Sequence, residues 1–358
     1  MQALFFHGNR DLQFSEIVQT KPGPDEIRLS ITDAGLSQAT VAEFFEGPFI
    51  GNLEDHPRTN IALPIIPCQE FGGVIDMVGV GVDSALIGKT GAVLPSLPCG
   101  TCEHCHTGRD NLCETLAYRG LVGAHGGFVE KTVIPQNDFF ETAENIQPNL
   151  VEPLLVALHA ARHLKNANET KSIRKPVLIM GAGCIGICLA AILRDAYKIP
   201  VVITDPIKNR LNLANHEGFN TCAHSEILTR KNAFDWIIDA AGKDPGLEQQ
   251  PLDQAIDLCS TGGTIIAIGN YFITHEVLPA RLLFREISII PSFVYKQSDV
   301  AELRNIQQRL TTNFRAFTTQ VSFKNLIDEG YCLPKLDRNA FTRITTSPSE
   351  VCSTRIAA

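Results

Sequence analysis

Between residues 176 and 205 the chain alternates apolar blocks around one glycine-rich break. Val177-Leu178-Ile179-Met180 is a short continuous apolar run, the pattern of a strand buried on both faces. Residues 187–197 are rich in Ala and Leu and free of Pro, which predicts a helix. Pro200-Val201-Val202-Ile203-Thr204 predicts a second strand, ending at Asp205. The alternation continues with a helix over 210–218, a strand from 234 into the small-residue loop at 240–242, a helix over 252–258 and a strand over 263–269. Such βα repetition predicts a doubly wound parallel sheet with its ligand at the C-terminal strand ends. Before residue 148 the pattern differs. Runs such as Ile27-Arg28-Leu29-Ser30-Ile31 are short, and Gly and Pro are frequent, which predicts a mainly β domain with irregular loops. Its glycines at 72, 73, 79 and 81 mark places where strands bend or meet, and Gly88-Lys89-Thr90-Gly91 reads as a turn into a strand. Past residue 296 an amphipathic helix over 299–310 precedes a less regular tail expected to return to the first domain. The segments 1–148, 149–295 and 296–358 thus describe an α/β protein of two domains.

The break itself is Gly181-Ala182-Gly183-Cys184-Ile185-Gly186. In a G-x-G-x-x-G turn the first glycine permits the tight exit from the strand. The second lets the backbone approach a pyrophosphate, and the third lets helix pack on strand. The first turn of the helix, with Cys184 and Ile185, offers free N–H groups to the phosphates. Asp205 lies 19 residues after Gly186, the spacing of an acid that binds the adenosine ribose hydroxyls. A carboxylate there repels a 2′-phosphate, so NAD(H) is expected over NADP(H), although Lys208 and Arg210 follow closely.

At 358 residues, 44% hydrophobic and 20% charged, the chain has the composition of an ordinary globular protein. Its net charge of -8 argues against a general nucleic-acid binder. No apolar run reaches the ~18 residues of a membrane span, and the first residues lack the basic and apolar regions of a signal peptide. The expected compartment is the cytoplasm. Eleven cysteines there mean metal ligands and buried thiols rather than disulfides. Four of them, Cys99, Cys102, Cys105 and Cys113, form a C-x2-C-x2-C-x7-C cluster suited to one tetrahedral Zn²⁺. An iron–sulfur cluster or uncoordinated thiols are the alternatives, although the spacing differs from the ferredoxin runs. Four cysteines leave no open position for substrate, so the ion would be structural. His104 and His106 are expected to be solvated loop residues, and His56, in a polar loop, to face solvent. His159 is expected to be a core or interhelical residue, and Cys68 a buried structural thiol.

Across nearly its whole length the sequence resembles the medium-chain, zinc-containing alcohol and polyol dehydrogenases, above all the sorbitol, butanediol and threonine dehydrogenase branch. The resemblance rests on the four-cysteine lobe, Gly120-Leu121-Val122-Gly123, Gly126-Gly127-Phe128-Val129-Glu130, Val151-Glu152-Pro153-Leu154, the glycine break, Gly262-Gly263, Arg285-Glu286-Ile287, Leu336-Asp337 and Ala340-Phe341. It implies a GroES-like domain, a Rossmann domain, an active site in the cleft between them and a homodimer or homotetramer. The catalytic positions depart from the family. Its G-I-C-G-T/S-D-x-H reads Gly35-Leu36-Ser37-Gln38-Ala39-Thr40-Val41-Ala42 here, so the ligand Cys becomes Ser37, and the relay hydroxyl and His become Ala39 and Ala42. The family's G-H-E becomes Cys68-Gln69-Glu70, replacing the ligand His with Gln69, while Glu70 and Glu152 remain. A hydroxyl and an amide are weak zinc ligands, so a catalytic zinc is not expected. Near Phe293-Val294-Tyr295, expected by the nicotinamide end, Val294 stands where polyol dehydrogenases often carry Arg. The first expectation is an NAD(H)-dependent oxidoreductase acting without a catalytic metal on a small alcohol, carbonyl or activated double bond. Ser37, Thr40, Gln69, Glu70 or Glu152 would orient or protonate the substrate. The alternatives are a polyol dehydrogenase with an unusual metal at Glu70 and Glu152, and a non-catalytic NAD-binding regulatory protein.

Overall fold

The computed structural model describes residues 1–51, 53–171, 173, 175–242, 249–269, 279–332 and 343–349. The chain divides into two compact units, Met1–Glu152 with Thr318–Ala358, and Pro153–Phe317.

The first unit opens with an antiparallel pair, β1 (Gln2–Gly8) and β2 (Asp11–Glu16). The long strand β3 (Glu26–Leu36) runs into α1 (Gln38–Glu46), and then come β4 (Glu70–Val78) and β5 (Thr90–Val93). Two very short strands, β6 (Ser96–Leu97) and β7 (Ala117–Tyr118), pair with each other at the neck of the cysteine lobe, which holds α2 (Glu103–His106). After β8 (Lys131–Pro135) and β9 (Phe139–Glu141) the chain enters α3 (Val151–Lys171). Near the end of the chain β15 (Thr319–Gln320) and β16 (Ile344–Thr346) return to this unit, where β16 pairs antiparallel with β3. The sheet order is β15-β16-β3-β4-β5-β9, with β8 also on β3. Ile27, Leu29, Ile31, Phe71, Ile75 and Phe128 fill the core beneath it.

The second unit is the predicted parallel sheet. Strand β10 (Val177–Met180) is buried at all four residues. It leads through α4 (Cys184–Ala191) to β11 (Val201–Thr204), then through α5 (Lys208–His216) and α6 (His224–Ile227) to β12 (Phe234–Asp239). Helix α7 (Pro251–Leu258), with Pro at its first position, feeds β13 (Cys259–Ala267). Helix α8 (Pro279–Leu283) precedes β14 (Ser288–Pro291), and α9 (Gln297–Ile306) follows. The order β11-β10-β12-β13-β14 reverses direction at β10, so the glycine break sits at a topological switch point.

Two expectations change. The predicted 187–197 helix is α4 followed by one π-turn over Ile192–Ala196. The segment 297–317, expected with the returning tail, belongs to the second unit. The reason lies in α9: fully buried Asp299 forms an ion pair with Arg162 at 2.7 Å and faces His159 Nδ1 at 2.9 Å, while Glu302 accepts from Arg162 at 3.0 Å and from Lys165 at 2.7 Å. Burying Asp299 would be costly without these partners, so α9 is fixed to α3, and His159 is the interhelical histidine expected. The Leu336-Asp337 and Ala340-Phe341 positions lie outside the described residues.

Candidate active site and cofactor site

The cofactor half is built by the β10–α4 turn. Gly181 adopts φ +106°, which an L side chain rarely takes. A Cβ on Gly186 would collide with the Gly181 carbonyl, whereas one on Gly183 would meet nothing within 4 Å. The second glycine therefore faces open space while the third is held by packing. Gly183 is the N-cap of α4 and makes no side-chain cap, so the first-turn N–H groups of Cys184 and Ile185 have no capping side chain to satisfy them. Asp205, 4% exposed, directly follows β11. One of its oxygens accepts from Ala182 N at 2.8 Å and the other from Ile207 N at 2.7 Å. Arg210 approaches it at 3.7 Å. The carboxylate is thus fixed beside the glycine loop, and the residues present fit a dinucleotide with free ribose hydroxyls. Phe293, Val294 and Tyr295 follow β14 at the same end of the parallel sheet, with Val294 at φ +40°, an outlier for a β-branched residue.

The catalytic candidates lie within the first unit. Ser37 caps α1, accepting from Thr40 N at 3.0 Å. It also accepts from Gln69 Nε2 at 2.8 Å. With two donors on its oxygen, its own proton goes to Thr40 Oγ1, 2.8 Å away. Thr40 in turn donates to Gln69 Oε1 at 3.2 Å. The three side chains close a ring that runs in one direction, all of it buried. Neither hydroxyl retains a proton for a substrate, so of these three only the second N–H of Gln69 remains to be given.

Glu70 is committed elsewhere. It pairs with Arg343 at 2.7 Å, both side chains nearly inaccessible, and Arg343 also donates to Asn149 O at 2.6 Å. Glu152 is different. It is 7% exposed and accepts from the Tyr118 hydroxyl at 2.8 Å. Burial, and then the charge of Glu70, lift its pKa to about 8, against the opposing pull of Tyr118 and Arg343. That rise favours the protonated carboxyl of Glu152 at neutral pH. Arg343 and Tyr118 had no signal in the sequence: the first joins the site from 273 positions away, the second from 34.

This donor set does not fit zinc. The two positions that would supply thiolate and imidazole are tied to each other, one carboxylate is neutralised by a guanidinium and the other favours its protonated form. Cys68 cannot substitute. Its φ is +88° and its buried thiol donates to Gly35 O at 3.3 Å and to Glu70 O at 3.4 Å. Burial and the Glu70 charge hold that thiol far above its ordinary range. His56 is corrected: it is 3% exposed, not solvent-facing. Its Nδ1 lies 3.4 Å from the N–H groups of Arg58 and Thr59, and its ring fills the space left by Gly123, so it serves to turn the loop.

The four lobe cysteines, by contrast, bring their sulfurs within 4.8 Å of one another, with 3.9 Å between Cys99 and Cys105 and 3.6 Å between Cys102 and Cys105. Zn–S bonds of about 2.3 Å at tetrahedral angles need sulfurs about 3.8 Å apart. The Thr101 hydroxyl and N–H lower Cys99 to about 5, while burial raises Cys105 to about 12. Four thiols this close cannot all ionise without a cation, and a divalent ion removes that conflict. Among the described residues this is the only group of three or more such side chains able to hold a metal. Of the two lobe histidines, His106 is exposed and His104 half-buried.

Comparison with known proteins agrees with this geometry. Residues 23–144 match the alcohol dehydrogenase GroES-like domain, and residues 184–308 match the zinc-binding dehydrogenase family. The starvation-sensing protein RspB of Escherichia coli K12 is 30% identical over 82% of this chain and 83% of its own length. The chain belongs to the medium-chain, zinc-binding dehydrogenases. (R,R)-butanediol dehydrogenase of Bacillus subtilis 168 is 25% identical over 92% of the chain and 95% of its own. The crystal structure of the alcohol dehydrogenase rspB of E. coli CFT073, solved with NADH, superposes with a TM-score of 0.79 at 26% identity, covering 97% of this chain and 99% of that one. This dehydrogenase is an NAD(H)-dependent oxidoreductase whose metal site, the four-cysteine cluster, is structural.

Proposed function

We propose that the protein reduces a small carbonyl compound or activated double bond, or oxidises the corresponding alcohol, without a catalytic metal, and that Glu152 supplies the proton. The bound nicotinamide supplies or takes the hydride. The chain holds that cofactor through Gly181, Gly183, Cys184, Ile185, Gly186, Asp205 and Arg210. In the reduction direction Glu152 protonates the developing oxyanion, or the carbanion of an enone, and is reprotonated from solvent. Gln69 directs its remaining N–H at the substrate oxygen, held by Ser37 and Thr40, while burial and the neighbouring Glu70 favour the protonated form of Glu152 against the pull of Arg343. The observation that carries this reading is the closed Ser37–Thr40–Gln69 ring together with the buried Glu152, whose pKa burial raises, which leaves one acid among the five candidates. It is supported by relatives whose names are those of alcohol and polyol dehydrogenases.

The test is elemental analysis combined with turnover. Protein purified without chelator should hold one zinc per chain and reduce some of a panel of ketones, aldehydes and enones with NADH. Two metals per chain would return the polyol dehydrogenase reading with Glu70 and Glu152 as ligands. NADH binding without any turnover across the panel would favour a regulatory role.

We also infer a homo-oligomer and a cytoplasmic location. Leu283 and Phe284, next to the open sheet edge at β14, are 71% and 82% exposed, which favours a partner there. The ten described cysteines form no disulfide among themselves, as in a reducing compartment. No described helix is long and apolar enough to cross a membrane.

A further inference from the structure

Tyr118 reaches Glu152 from an unusual place. It belongs to β7, and β7 with β6 forms the neck from which the cysteine lobe hangs. The strand pairing at the neck is two residues long, Ser96 with Tyr118 and Leu97 with Ala117. Cys99 follows β6 after one residue, and Cys113 precedes β7 by three. Inside the lobe, Cys99 N donates to Cys113 Sγ at 3.2 Å and Leu116 N to Cys113 O at 3.2 Å, so the two ends of the loop are joined at the cysteines. On the far side of the neck Tyr118 N donates to Val122 O at 2.8 Å and Arg119 N to Pro95 O at 2.9 Å. Tyr118 is 3% exposed, and its hydroxyl is aimed at Glu152 Oε1 across 2.8 Å.

We propose that Tyr118 is a positioning residue for Glu152, and that metal in the four-cysteine lobe holds Tyr118 in place, so that the lobe's metal state controls the Tyr118–Glu152 hydrogen bond. A two-residue strand pair with two flanking bonds offsets little of the entropy that opposes closing the loop. Sulfurs gathered on one ion close residues 98–116 and leave the neck paired. When the ion is lost the loop opens, β7 loses its register and the hydroxyl leaves the carboxyl. The charged groups acting on Glu152 are otherwise Glu70, which disfavours its carboxylate, and Arg343, which favours it. Tyr118 favours the carboxylate too, by donating to it, so its departure leaves the proton held more tightly. Thiol oxidation or metal chelation at the lobe would then change acid–base behaviour at Glu152 without touching either the cofactor site or Glu152 itself.

This inference rests on Glu152 as the proton donor for its catalytic consequence, but not for its structural one. The test therefore reads the carboxyl directly, by the infrared C=O band of protonated Glu152, identified by its absence in Glu152→Gln. In zinc-loaded protein Tyr118→Phe should move the midpoint of that band's titration up by about one pH unit. Zinc-depleted wild-type protein should show the same upward shift, and depletion of Tyr118→Phe should add nothing further. An unchanged midpoint in zinc-loaded Tyr118→Phe overturns the positioning role, and an unchanged midpoint on depletion overturns the link to the lobe. The phenylalanine variant retains its zinc and neck, so the first comparison stands even where depletion unfolds the chain. The pH profile of kcat/KM for reduction separates the two readings: if the infrared midpoint moves and the alkaline limb does not, the coupling holds and Glu152 is not the acid.

Discussion

At the scale of single residues the chemistry rests on which side chain still holds a proton to give. Ser37 and Thr40 look like candidates in sequence, yet each spends its proton inside the ring with Gln69. Replacing Ser37 with Ala should therefore act mainly on stability. It strands the Gln69 and Thr40 N–H groups in a buried place, at a cost of about 1–3 kcal/mol, while NADH affinity by fluorescence titration stays at the wild-type value. Glu152→Gln should do the reverse. Removing a general acid lowers reduction by about 10²–10⁴-fold, and wild-type kcat/KM should be level at low pH and fall above pH about 8. The same group gives stability a pH dependence. Its folded value lies near 8 against an ordinary 4.5, so between those pH values the folded protein keeps a proton that the unfolded chain has released. The stability it contributes is complete below pH about 4.5 and is lost as pH rises through about 8. Denaturant midpoints of Glu152→Gln measured from pH 5 to 8.5 should fall less steeply than those of the wild type; parallel curves would mean Glu152 is ionised in the folded state.

At the scale of elements, the glycine break and its flanking strands were legible because local physics alone decides them. Four consecutive buried apolar residues, a turn that only glycine enters at φ +106° and a helix start without a side-chain cap follow from neighbouring residues. The expectation for each glycine becomes a measurement here. Gly183→Val should fold with an unchanged melting temperature in the absence of cofactor, since its side chain enters open space, yet weaken NADH binding at least tenfold. Gly186→Ala should lower the melting temperature as well, because its Cβ meets the Gly181 carbonyl. Equal effects of the two on stability would contradict the open cradle at Gly183. What sequence did not reveal depends on distant partners. His56 sits in a run of polar residues, Glu54-Asp55-His56, and its burial comes from packing on Gly123 and from the turn at Arg58 and Thr59. The end of the second unit moved from 295 to Phe317 because α9 carries Asp299, whose burial is compensated by charged partners on α3 beside its capping bond from Lys296 N. The loss of zinc ligands was readable from residue types, but the ring and the Arg343 pairing that replace them were not, since no local pattern joins Glu70 to a residue 273 positions on.

At the scale of the whole molecule, one edge of the parallel sheet, β14, is open among the described strands. Strand β14 pairs with β13 on one side, and among the described strands none pairs with its other side. An open edge invites pairing with another chain unless charge or proline blunts it. Here Pro291 blunts only the end of the strand, and the adjoining surface is apolar: Leu283 and Phe284, at the end of α8 just before β14, and Phe293, just after it, are 71%, 82% and 55% exposed. A contact through one edge strand joins two copies about a two-fold axis, because the same strand must serve both partners. This predicts a dimer of twice the 39.1 kDa chain mass as the smallest stable species. Light scattering coupled to size exclusion should give that mass or its double for the wild type. Phe284→Asp, a charge at an exposed position outside the core of either unit, should yield monomer while NADH still binds. Wild-type protein that runs as a monomer at micromolar concentration would leave the edge unpaired in solution and remove the case for an oligomer. A Phe284→Asp variant that keeps the wild-type mass would place the interface on another face.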